Sequence, residues 1–144
     1  MERIQIDAVQ PTAYEAMFAL EGYLAKSKLS ATHKNLIKIR ASQINGCAFC
    51  IDMHSSEAVR EGESPRRIYV LDGWRKTELF SKEERVILKM TEELTVLDKN
   101  GLSEATYLEA IAHFDEETFS QIVMTIVTIN AWNRIAIATH KPLP

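Results

Sequence analysis

Apolar residues recur along most of this chain at spacings of three and four, the repeat of a helix with one buried stripe. Only the first few residues depart from it, where Ile4 and Ile6 alternate as in a strand or an extended packed arm. Pro11 and Thr12 open a helix over about 11–26, with Tyr14, Met17, Phe18, Leu20 and Leu24 as its buried stripe. Ser30 or Thr32 caps the next helix, which turns Leu36, Ile37 and Ile39 inward and stops at Asn45-Gly46. A further helix begins at about Cys47 and ends near Gly62. Ser64 and Pro65 read as the cap and first residue of a short helix over 65–71, closed by Gly73, with Trp74 packing across the loop. Ser81 and Glu84 have the spacing of a capping box, and the helix they open runs to about Leu97 with Val86, Ile87, Met90, Leu94 and Leu97 inward. After Asn100-Gly101, Ser103 caps a helix that ends near His113. The last helix, about 115–138, is apolar on nearly all sides, which predicts a central position or burial between subunits. The expectation is seven helices in one all-α domain over residues 1–144, with no repeat or linker.

Composition narrows the class. Hydrophobic residues are 46% and charged residues 26% of 144, the balance of an ordinary globular protein rather than a disordered one. A net charge of −3, with no run of Lys or Arg longer than two, argues against a nucleic-acid surface. The N-terminus lacks a cationic region followed by an apolar core, and the greasiest stretch, 122–137, is interrupted by Asn130, Asn133 and Arg134. No membrane association and a cytoplasmic location are therefore expected. In that reducing compartment a close cysteine pair is more often catalytic or metal-binding than structural.

The chain has two cysteines, Cys47 and Cys50, with His54 four residues after the second. Residues three apart on a helix stand about 5–6 Å apart, within the span of a disulfide, so the pair can cycle between dithiol and disulfide. Unpaired N–H groups at a helix start favour thiolate over thiol. That argument favours Cys47, nearer the start, whereas proximity to His54 favours Cys50. Glu57 shares roughly the face of Cys50 but lies two turns on, and reads as surface.

The run Arg40-Ala41-Ser42-Gln43-Ile44-Asn45-Gly46-Cys47-Ala48-Phe49-Cys50-Ile51-Asp52-Met53-His54 resembles the signature of the alkylhydroperoxidase D / carboxymuconolactone decarboxylase family, and Trp132-Asn133-Arg134 extends the similarity towards the C-terminus. The resemblance implies an all-α helical domain assembled as a homo-oligomer, a trimer or hexamer. It also implies reduction of hydroperoxides without cofactor or metal. Carried onto this chain, Cys50 is the peroxide-attacking thiolate that becomes a sulfenic acid. Cys47 is the resolving cysteine and proton donor, and His54 belongs to the proton relay. An external thiol or dithiol then reopens the disulfide, with Cys47 expected to be the more accessible sulfur. The chain departs from the family twice, with Asn35 where the relay glutamate stands and Phe49 where the best-known peroxidases have histidine. Asparagine cannot exchange a proton at neutral pH. Another group then serves the relay possibility assigned to position 35, His33 being the nearest titratable one, or turnover is slow, or the cycle is mainly disulfide exchange. Phe49, Trp74 and Trp132 are candidates to line an approach for an organic peroxide.

Three rivals stand beside this reading. A zinc site would use the cysteines and His54 but lacks an obvious fourth ligand. The decarboxylase branch of the same family lacks the paired cysteines. A helical oligomer that only binds a partner would leave both thiols as inert packing. A c-type haem is disfavoured because Ile51, not histidine, follows the second cysteine.

Overall fold

A computed structural model describes residues 1–144, and every regular element in it is a helix. In chain order these are α1 (Ile6–Val9), α2 (Pro11–Ala25), α3 (Ala31–Asn45), α4 (Ala48–Arg60), α5 (Pro65–Tyr69), a 3₁₀ helix (Leu71–Lys76), α6 (Lys82–Thr95), α7 (Glu104–His113) and α8 (Glu116–Ala138). No helix is long and apolar enough to cross a membrane. The nine elements exceed the seven expected in two places. The N-terminal segment expected to be extended holds the one-turn α1 instead, and residues 71–76 form the 3₁₀ helix where a loop around Gly73 and Trp74 was expected.

The caps explain most boundaries. Ser30, Ser103 and Asp115 each accept the backbone N–H three residues on, opening α3, α7 and α8. Ser81 does the same for α6, but Glu84 does not return the bond; it pairs with Arg67 at 2.6 Å, so only half of the capping box forms. Gly46 ends α3 at φ 68°, a left-handed conformation natural to glycine, and the N–H of Cys47 closes the turn on the Ser42 carbonyl at 3.0 Å.

Helix α3, not α8, is the central element, packing on α4, α6 and α8. Ile37 and Ala41 join Val86, Ile87, Met90, Ile122 and Ile126 in one core cluster, while Leu36 and Ile39 join Ala58, Leu71, Trp74 and Leu88 in a second. Within the chain α8 still turns apolar residues outward, Val127 and Ile137 among them, as a helix apolar on nearly all sides must when it is not wholly enclosed. Leu97 is 68% exposed because α6 ends at Thr95, before it. The α2 stripe is only half realised, with Leu24 buried and Phe18 60% exposed.

A buried polar network locks the end of α3 to α8. Asn45 donates to the side-chain oxygens of Asn130 and Asn133, at 2.9 Å each, and Asn133 donates to Ser42 at 3.0 Å. Asn130 also donates to Thr95 at 3.0 Å. Buried amides must find partners, each lost one costing about 1–3 kcal/mol, so this network fixes the turn that delivers Cys47.

Candidate active site

Cys47 is the N-cap of α4, and its Sγ accepts the N–H of Cys50 at 3.4 Å. The two sulfurs are joined as a disulfide across a Cα separation of 5.3 Å. Both cysteines are buried, each 2% exposed, and pack against Ala136 of α8 and Phe49. Neither is the more accessible by exposure. A cleft of about 410 Å³ is lined by Cys50 and not by Cys47, the reverse of the accessibility expected.

Helices α2, α3, α4 and α8 and the C-terminal segment build that cleft. Its apolar wall includes Phe49, Met53 and Ile135. Tyr14, Phe18 and Trp132 add a ring cluster, the rings of Tyr14 and Phe18 lying 5.3 and 5.8 Å from that of Trp132. The indole N–H of Trp132 donates to Glu21 at 2.9 Å, which fixes the ring's orientation. Trp74 lies elsewhere, buried in the second core cluster with its indole N–H on Glu92 at 3.0 Å.

His54 lines the same cleft and is 6% exposed. Its Nδ1 stands 3.5 Å from Glu57 Oε2, too long and poorly aligned to satisfy the nitrogen fully. Burial lowers the His54 pKa below the ordinary imidazole value and the Lys38 ammonium lowers it further, while the carboxylates of Glu57 and Glu21 oppose them. The ring is therefore neutral near pH 7 and able to accept a proton. Glu57, read from Cys50 as surface, is partly exposed yet turns its carboxylate towards the His54 ring. Measured from His54 it is i+3, a spacing at which helix side chains meet.

The structure does not bring Asn35 to this cleft. Its amide is buried, and Nδ2 donates to Glu61 Oε2 at 2.8 Å, towards the far end of α4. His33, in the first turn of α3, does not line the cleft either. No group of three or more His, Cys, Asp or Glu side chains is arranged to hold a metal ion.

Fold and site together define an all-helical protein of the alkylhydroperoxidase D type. The crystal structure of an Agrobacterium tumefaciens protein of unknown function, proposed to be the antioxidant defence protein AhpD, matches with a TM-score of 0.95. The two chains are 36% identical, over 100% of this chain and 99% of that one. The chain belongs to the carboxymuconolactone decarboxylase family, whose model matches residues 11–93. The uncharacterised protein YdfG of Bacillus subtilis is 39% identical over 137 residues, which are 95% of this chain and 93% of that protein. The debrominase Bmp8 shares the fold, with a TM-score of 0.84 over 95% of this chain and 74% of that one, at 18% identity.

Proposed function

We propose that the chain is a thiol-dependent peroxidase that reduces organic hydroperoxides through a Cys47/Cys50 dithiol–disulfide cycle. One observation carries this reading: of the two paired cysteines, Cys50 lines the cleft, and it does so together with a histidine whose ring has an unsatisfied nitrogen. The kinship with a protein proposed for antioxidant defence supports it.

In the reduced protein, neutral His54 takes the Cys50 proton, and the thiolate attacks the outer oxygen of the hydroperoxide. The O–O bond breaks, the alkoxide takes the proton held by His54 and leaves as an alcohol, and Cys50 becomes a sulfenic acid. Cys47 then attacks that sulfur, and its proton leaves with the hydroxyl as water. Glu57 serves as the carboxylate beside His54, in place of the glutamate the family carries at position 35. An external dithiol entering by the cleft attacks Cys50 and releases Cys47 as a thiolate, which the Cys50 N–H already faces. Closure of that dithiol to its own disulfide restores both thiols.

Peroxide consumption coupled to a dithiol reductant tests the reading. Cys50→Ser is expected to fall to the rate of reductant alone, and Cys47→Ser to accumulate a sulfenic acid on Cys50. Undiminished turnover in Cys50→Ser overturns it.

A further inference from the structure

The cleft contains two lysines and two glutamates, and their hydrogen-bonding states differ. Glu21 already receives the Trp132 N–H at 2.9 Å, and Glu57 faces His54 Nδ1 at 3.5 Å. The ammonium groups of Lys38 and Lys141 have no carboxylate within 4.0 Å and no hydrogen-bond acceptor. Lys141 has only the ring of Phe49, 5.6 Å from its Nζ. What the protein leaves unmet in this cleft is thus a demand for acceptors, set in a wall that is mostly apolar. A neutral oil satisfies the wall and not the lysines. An inorganic anion satisfies the lysines and not the wall.

We infer that the cleft selects amphipathic organic acids, and that the preferred substrate is a hydroperoxide whose apolar body carries a carboxylate held by Lys38 and Lys141. This rests on the peroxidase reading for its chemistry but not for its binding. The two-electron step is unchanged: the O–O bond of the hydroperoxy acid breaks, Cys50 is oxidised, and the hydroxy acid leaves with its carboxylate intact. A charge-assisted hydrogen bond between ammonium and carboxylate, partly shielded from water, is about twice as strong as a neutral one. One such bond corresponds to about a tenfold or greater preference for the acid over a neutral analogue.

The test separates binding from chemistry. Calorimetric titration of the oxidised protein with octanoate and with 1-octanol is expected to show octanoate bound about tenfold more tightly. The indole N–H resonance of Trp132 should shift with either ligand. Lys38→Met with Lys141→Met should bring the two affinities together, and Lys38→Arg with Lys141→Arg should restore the gap. In turnover, kcat/KM for a long-chain hydroperoxy acid should exceed that of its methyl ester by a similar factor in the natural protein and not in the double methionine variant. Equal affinities for octanoate and octanol, or a gap that survives the methionine variant, overturn the inference whatever the peroxidase assay shows. Lysine-dependent octanoate binding without peroxide turnover upholds the ligand class and removes the peroxidase reading instead.

Discussion

Two faces of helix α3 treat charge in opposite ways. On one, Arg40 pairs with Asp72 at 2.7 Å and Glu92 at 3.3 Å, and Glu92 also takes the Trp74 indole at 3.0 Å and the Arg75 guanidinium. On the other, two residues earlier, Lys38 enters a cleft with no partner for its ammonium, opposite a histidine whose Nδ1 is unsatisfied. A charge paired near a core cannot lose its partner without cost, because the remaining charge is left uncompensated. Leaving it unpaired beside a buried sulfur makes it available to a ligand or a reaction. The comparison teaches that the Arg40 face holds the helices together, whereas the Lys38 face keeps its charge free for the chemistry proposed above.

That division breaks if substitutions on either face affect the wrong property. The largest effect is expected for His54→Gln, which should lower kcat/KM for a hydroperoxide by about 10²–10⁴ through loss of the proton acceptor. Its thermal midpoint should hold within a few degrees. On the paired face, Glu92→Gln leaves Arg40 and Arg75 without their shared carboxylate. A loss of about 1–3 kcal/mol in denaturant unfolding is expected, discounted for partial exposure, with activity per folded molecule unchanged. Asn35→Glu should cost about 1–2 kcal/mol, because it sets a second carboxylate against Glu61 in a buried site. Improved turnover there, with no loss of stability, would place position 35 in the relay after all.

Smaller effects sharpen the cleft side. The groups facing His54 are Lys38, Glu57 and Glu21. Glu57→Gln removes a charge that raises the His54 pKa, so the acid limb of the rate profile should move to lower pH. Lys38→Met removes a charge that lowers it, so that limb should move to higher pH. Shifts in the same direction would detach these residues from His54. Because the folded His54 pKa lies below its unfolded value, the group's contribution to stability is complete above about pH 6.5. It is lost as pH falls towards the lowered value, and His54→Gln should flatten that part of the stability profile.

How much of this the sequence carries depends on how local each feature is. Cys47, Cys50 and His54 lie within eight residues on one helix, so spacing alone places them together. Glu57 is legible as a surface residue two turns from Cys50, and the same spacing rule puts it at i+3 from His54, where the two side chains meet. Lys38, Lys141 and Glu21 were beyond reach, since only the packing of α2, α3 and the C-terminal segment around α4 and α8 gathers them. The α-helices from α2 onward followed from apolar spacing and caps, but the 3₁₀ helix, the half-buried α2 stripe and the exposed Leu97 did not. Periodicity says which side of a helix is greasy, not how much of it is covered.

The most direct measurement is a thiol count on the fully reduced protein after one equivalent of an organic hydroperoxide. The expected result is loss of both thiols for each peroxide consumed, with mass spectrometry showing Cys47 linked to Cys50 within a single chain. Peroxide consumed while both thiols stay free, or both thiols free and the peroxide untouched, would contradict it.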